Sequence, residues 1–312
     1  MSYYQRTLKR TITASGIGLH SGKRVTLSLK PAAENDGIVF VRTDLGGARC
    51  PATVAQISET SFATILRGSK ADGEAEVRTT EHLMAALAAL GIDNAIIELD
   101  APEVPIMDGS AAPFVYLLLE AGVVEQARAR RYWRVREAFE MSEGGKRVAL
   151  SPSTSATPAL EIDCRIAFDH PLIGRQSWSG VITEKRFARE LAPARTFTFL
   201  KDVEALRRRG LALGGSLDNA VVLGDNKFLN PHLRFKDEFV RHKAMDALGD
   251  FLLLGAPLWG KLTLEKAGHA AHAAAMRALR EGNYLELVTA PEPRPLAAPA
   301  PRPLAVTAAD RI

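Results

Sequence analysis

Phe239-Val240-Arg241-His242-Lys243-Ala244-Met245-Asp246-Ala247-Leu248-Gly249-Asp250-Phe251 is the stretch whose reading decides the fold. At helical period, Val240, Ala244, Ala247, Leu248 and Phe251 form one apolar stripe, which predicts a helix packed into a core. Asp237 ahead of it and Gly255 behind it are start and stop signals. A second row, His242, Asp246 and Asp250, recurs at i, i+4 and i+8 and stacks along one face beside the stripe. Two readings compete for this row. One is a hydrogen-bonded pair on the helix surface, worth about 0.2–0.5 kcal/mol. The other is a pair of ligands one turn apart for a single ion, which then needs a third ligand from elsewhere.

The remainder of the chain is that of an ordinary globular protein. Of 312 residues, 46% are hydrophobic and 24% charged, enough for two domains with real cores. Forty basic against 36 acidic residues give a net charge of +4, a mild excess that suits anionic ligands such as phosphates or a membrane surface. No basic, aromatic-interleaved patch of the kind that single-strand binders use is present, so nucleic acid is not an expected partner. Cys50 and Cys164 stand far apart and in no C-x-x-C pair, which argues against a disulfide framework or a thiolate metal site and fits a reducing cytoplasm. The first residues lack the apolar core of a signal peptide, and no run reaches the roughly 20 apolar residues of a membrane helix. The expectation is a soluble, monomeric chain with at most peripheral membrane contact.

In chain order, Leu8–Ile12, Val25–Leu29 and Ile38–Val41 read as strands broken by Ser15-Gly16, Ser21-Gly22, Pro31 and Asn35-Asp36-Gly37. Thr79-Thr80 then precede an alanine-leucine helix, Glu81–Leu90, closed by Gly91 and followed by a buried strand, Ala95–Leu99. Pro113 opens a helix running to Ala121. The charged run Glu125–Arg131 has no apolar period and marks a boundary. Strands near Tyr132–Glu140, Arg147–Leu150, Leu160–Ala167 and Gln176–Ile182 follow, with helices near Glu184–Leu191, Asp202–Arg209, Asp237–Leu254 and His269–Arg280. Strands then helices, twice over, predict an α+β protein of two domains of like plan, residues 1–126 and 131–290. Residues 291–312 are Pro-rich and read as a flexible tail.

Three further segments carry candidate chemistry. Glu81-His82, in the first turn of its helix, resembles the base and ligand pairs of zinc hydrolases, in which histidine binds the ion and glutamate takes a proton from water. The plainer reading is a glutamate favoured by the helix dipole beside a satisfied histidine. His269, after Lys266-Ala267-Gly268, is either a cap or an acid–base group kept protonatable by a carboxylate such as Asp250. Thr196, in Ala194-Arg195-Thr196-Phe197-Thr198-Phe199-Leu200, is either a donor to an oxyanion or a plain strand residue. His20, His170, His232 and His272 have no metal-ligand spacing with the others. The Gly16–Gly22 run lacks the Gly-Lys-Ser/Thr ending of a P-loop and reads as a turn.

Val77-Arg78-Thr79-Thr80-Glu81-His82-Leu83, Pro105-Ile106-Met107-Asp108-Gly109-Ser110-Ala111-Ala112-Pro113-Phe114, Ala194-Arg195-Thr196-Phe197, Asp237–Lys243 with Asp246, and Lys266–His269 occur in this order. Together they closely resemble the UDP-3-O-acyl-N-acetylglucosamine deacetylase family, LpxC, over roughly residues 2 to 290. The resemblance implies a Zn²⁺ amidase of lipid A synthesis whose two β-sheet-and-helix domains face each other through their helical layers, with the active site at the domain interface. It implies His82, His242 and Asp246 as zinc ligands, Glu81 as general base, Thr196 and Lys243 as oxyanion stabilisers, and His269 oriented by Asp250 as general acid or electrostatic stabiliser.

The substrate implied is a UDP-linked, acylated amino sugar. The family's acyl passage, a β-α-β insertion, corresponds to about residues 197–222, where Phe197, Leu200, Val203, Ala212, Gly215 and Ser216 are mostly small or apolar. Phe168 is similar to an aromatic position near the uracil and Lys266 to one serving the diphosphate. Ala167 departs from an acidic residue found beside that aromatic in some members. Two other classes stand against this reading. One is a non-enzymatic binding module with zinc as a staple, which would have no need of Glu81 beside a ligand. The other is a zinc peptidase, against which the absent H-E-x-x-H pattern weighs.

Overall fold

A computed structural model describes residues 2–289; the tail expected at 291–312 lies outside the described residues. The architecture is mixed α+β. One large sheet has the order Ile12–Ile17, Arg24–Pro31, Ala95–Leu99, Ile38–Arg42, Ala48–Pro51. In it Ala95–Leu99 runs parallel to Ile38–Arg42 and antiparallel to Arg24–Pro31. A second, seven-stranded sheet is built around Leu258–Glu265, which pairs with Lys146–Ser151 antiparallel and with Leu160–Ala167 and Arg131–Val135 parallel. Each sheet comes wholly from one half of the chain.

Six helices occur among the described residues: α1 (Glu81–Leu90), α2 (Ala112–Ala121), α3 (Glu184–Arg186), α4 (Leu200–Arg208), α5 (Glu238–Phe251) and α6 (His269–Glu281). None is long and apolar enough to cross a membrane. α1 ends at Gly91, whose φ of 67° lets its amide reach back to the Ala88 and Leu87 carbonyls. α5 buries the whole stripe from Val240 to Phe251 and passes into a 3₁₀ turn, Leu252–Leu254, that closes at Gly255, φ 86°. Its second row is buried too, so the surface-pair reading of His242 and Asp246 fails. Asp237 stands at the N-cap, but its carboxylate accepts from Arg241 Nε at 2.6 Å instead of capping amides.

Several sequence expectations shift. Leu8–Ile12 straddles a break between strands Tyr4–Leu8 and Ile12–Ile17, and Ser15-Gly16 lies inside the second rather than in a turn. Gly16 is there for close approach, since a Cβ would meet the Pro105 Cβ at 2.8 Å. Most of Glu125–Arg131, which has no apolar period, is nonetheless strand: Val123–Ala129 pairs antiparallel with Tyr4–Leu8 in a half-exposed ribbon, where charges are tolerated. Tyr132–Glu140 is two strands, Arg131–Val135 and Phe139–Glu143. The helix expected at Glu184–Leu191 is one α-turn, capped by Thr183 Oγ1, followed by a π-turn. Phe197–Phe199, α4 and Val221–Leu223 form a β-α-β unit with parallel strands.

The two halves meet where α1 packs against α5. They come close at Gly249, where an added Cβ would collide with the Glu81 carbonyl oxygen and stand 2.9 Å from the Ala85 amide. These are backbone atoms, so the clash cannot be relieved by a rotamer. Gly249→Ala is expected to destabilise the protein by about 1–3 kcal/mol, the usual scale of overpacking, measured by urea unfolding; an unchanged midpoint would mean that the helices do not touch there.

Candidate metal centre

The crossing puts the first turn of α1, with Glu81 and His82, against the middle of α5, with His242 and Asp246, and all four side chains are buried. His82 Nε2 lies 3.6 Å and His242 Nε2 3.3 Å from the same Asp246 Oδ1. One donor atom from each of the three lies within 4.8 Å of the others.

Their protonation states follow from their neighbours. His242 Nδ1 is 3.1 Å from the Ala194 carbonyl oxygen, which only accepts, so Nδ1 carries the proton and Nε2 a lone pair. Burial pushes the His242 imidazole down to about 3 and lowers His82 as well. Burial works to raise the Asp246 carboxyl, but the charged Lys243 and His269 beside it hold it well below the usual carboxylate range. An ionised oxygen therefore faces an imidazole lone pair at 3.3 Å with no proton between them. Asp246 Oδ1 has no hydrogen-bond partner among the described residues. Such a grouping is repulsive unless a cation joins it, and two neutral nitrogens with one carboxylate suit a divalent ion of the zinc type. The residues fit a metal.

Around this group lies a second one. Asp250 Oδ2 is 2.8 Å from both His269 Nδ1 and His272 Nδ1, and Asp250 Oδ1 accepts from Thr64 Oγ1 at 2.6 Å. Burial would raise the Asp250 carboxyl, but these partners hold it well below the ordinary range. An ionised carboxylate only accepts, so both Nδ1 atoms carry protons. These three residues also have metal-ligand spacing, yet the two Nδ1 atoms and Asp250 Oδ2 are already joined by hydrogen bonds to one another.

Burial opposes charge on His269, but Asp250 and Glu81 overcome it and raise the imidazole to about 9. His269 Nε2 is 3.8 Å from Glu81 Oε1 and 3.9 Å from Asp246 Oδ2. Burial pushes the Glu81 carboxyl up to about 7 against the pull of His269, and its Oε2 accepts from the Thr64 amide at 3.1 Å. Lys243 Nζ donates to Asp246 Oδ2 at 3.0 Å, and that carboxylate keeps the ammonium charged despite burial.

The structure thus gathers Glu81, His82, Lys243, His242, Asp246, Asp250 and His269. Thr196 does not hydrogen-bond to the donors; with Phe197, Leu200, Val203, Ala212, Gly215 and Ser216 it lines an adjoining cavity of ≈ 320 Å³. The Phe197 ring stands between this cavity and the donors, 6.2 Å from His242 and 4.8 Å from Phe239. Phe168 packs edge-on to Phe197 at 5.7 Å, while Lys266 lines a different, more open hollow with Ala167 and Arg165. His20, expected as part of a turn, lines the apolar cavity. Two residues of the site were not singled out. Thr64 sits in an irregular Ser/Thr-rich stretch with no periodic signal. His272 was set apart for want of ligand spacing, although i, i+3 from His269 puts both on one face of α6.

A buried carboxylate, a charged imidazole and a donor set for a metal, packed around one point, are the equipment of a hydrolase, and comparison places the chain among deacetylases. Residues 5–281 match the LpxC family, described as UDP-3-O-acyl N-acetylglycosamine deacetylase. A curated relative of that name from Myxococcus xanthus is 49% identical over 292 residues, covering 93% of this chain and 90% of its own. Those from Shewanella violacea and Haemophilus influenzae are 48% and 47% identical, each covering 88% of this chain and 89% of their own. The chain belongs to this family and is an enzyme, which sets aside the non-enzymatic binding module.

His242→Ala is expected to abolish tight metal binding, because it removes the nitrogen whose lone pair Ala194 aims at the group. Metal analysis after exhaustive dialysis would read this directly; a variant that still holds one tight equivalent would rule out the ligand set.

Proposed function

We propose that the protein hydrolyses the N-acetyl group of UDP-3-O-(3-hydroxyacyl)-N-acetylglucosamine, giving acetate and the free amine, the committed step of lipid A biosynthesis. The observation that carries the reading is the unpartnered Asp246 Oδ1 beside the His242 lone pair, next to a buried glutamate with a raised carboxyl pKa. His82, His242 and Asp246 would hold Zn²⁺, which when bound supplies Lewis-acid polarisation of the acetamide and of water. The halves 1–126 and 131–289 act as two domains facing each other through α1 and α5, with the site at their interface. The protein works in the cytoplasm as a monomer, touching the membrane at most peripherally.

The chain's own groups have separable tasks. Glu81, held through Oε2 by the Thr64 amide, takes a proton from the attacking water through Oε1. The hydroxide equivalent adds to the acetamide carbon, and the charge that develops on the carbonyl oxygen is met by the Lys243 ammonium and the Thr196 hydroxyl. As the C–N bond breaks, the leaving nitrogen takes a proton from His269 Nε2, whose opposite nitrogen is fixed on Asp250. His269 and Glu81 are near enough, at 3.8 Å, to serve opposite faces of one reacting centre. The acyl chain lies in the apolar cavity beyond Phe197, with Phe168 toward the uracil and Lys266 toward the diphosphate.

Amine release from the acylated UDP-sugar is expected to stop on chelation and return with one equivalent of zinc; turnover indifferent to chelation would sink the metalloenzyme reading. Glu81→Ala is expected to keep its metal and lose about 10²–10⁴ in rate, the scale of general acid–base catalysis. Near-normal single-turnover rates for that variant would reassign the base.

A further inference from the structure

We propose that His272 is a positioning residue of the reaction: it holds Asp250 in the orientation that fixes His269. This rests on the reading above that His269 serves the leaving nitrogen. The geometry is that of a clamp. Asp250 Oδ1 takes the Thr64 hydroxyl at 2.6 Å, and Oδ2 takes both imidazole Nδ1–H groups at 2.8 Å. A carboxylate held only by His269 would be free to turn about its Cβ–Cγ bond, whereas one held from Thr64 on one side and His272 on the other cannot.

His272 has no simpler occupation. Its side chain is buried on α6 against the Phe251 ring at 5.7 Å, where an apolar residue would pack without penalty. Instead it leaves Nε2 buried with no partner among the described residues, an unfavourable state for any polar atom. The one polar contact its ring makes there is the one to Asp250. Among the described residues it reaches no metal-donor residue, and the network meets the reacting centre at two points, the Thr64 amide on Glu81 Oε2, which is backbone, and His269 Nε2, the side-chain atom facing Glu81. His272 therefore acts on the reaction through Asp250 and His269, as outer partners of metal-site and catalytic groups do.

The test compares His272→Leu with His272→Asn, two residues of similar shape of which only asparagine can donate to Asp250. His272→Leu is expected to lower kcat about 10- to 100-fold at unchanged KM and unchanged metal content, and His272→Asn to recover most of that loss. In a His269→Ala background, His272→Leu should add no further loss beyond about twofold, because its effect passes through the imidazole already removed. Losses that multiply in the double variant would overturn the inference and leave His269 in its role. Full activity of His269→Ala would instead overturn that role, and this inference with it. If His272→Leu does not fold, His272→Met, which also cannot donate to Asp250, replaces it in the same cycle. A methionine variant as active as the parent would equally overturn the inference.

Discussion

Everything in the site depends on how closely two helices from opposite halves of the chain can approach. At Gly249 the backbone of α5 lies against the Glu81 carbonyl, and the alanines that follow on α1 keep the seam narrow. A side chain at 249 would push the first turn of α1 away, and with it both Glu81 and His82. Because His82 and Asp246 sit on opposite members of the pair, their 3.6 Å separation is set by the crossing rather than by any loop. Catalytic groups on packed helices are held more tightly than groups on loops. The same contact that joins the halves therefore also sets the geometry of the donors.

That rigidity holds together a group that water would otherwise separate. Glu81, Asp246, Asp250, His82, His242 and His272 are buried within a few turns of helix, with Lys243 half-buried among them. Burying unpaired charge is unfavourable, and pairing only partly offsets it. The arrangement divides them by function: Lys243 and Asp246 form one pair, His269 and Asp250 another, and Glu81 is left with a single backbone amide and a raised carboxyl pKa. Two acids a helix turn apart on α5 thus stay ionised while the one on α1 sits near neutrality, a separation set by which cations each one faces.

Parts of this were legible in the sequence and parts were not, for physical reasons. α1 and α5 announced themselves through apolar period and a closing glycine, and the i, i+4 relation of His242 to Asp246 is local geometry that any helix would give. Leu258–Glu265 was passed over, although its burial alternates in strict period two; the strand follows a helix end and Pro257, and its short alternation was lost beside the stronger helical signals. Thr64 was invisible because its importance comes from two long-range contacts, to Glu81 and to Asp250, that nothing local encodes. The strand inside Glu125–Arg131 was hidden for the opposite reason: a half-exposed two-stranded ribbon tolerates charges on both faces, and so it shows no apolar period.

The relation between the donors and the apolar cavity is a matter of one aromatic residue. Phe197 opens the β-α-β unit, and its ring touches the site on one side through His242 and Phe239 and lines the cavity on the other. Lys243 lies 5.7 Å from the centre of that ring, so the ammonium beside Asp246 also rests against the cavity's inner wall. Thr196 anchors the same corner through backbone bonds to Gly109 and Val221. Gly109, at φ 84°, is held so near the Asn219 backbone that any Cβ would collide with its carbonyl. The wall of the cavity and the edge of the charged site are therefore one piece of backbone. A ligand with an apolar chain and a polar head would meet both at a fixed separation, so that seating the chain also sets where the head falls.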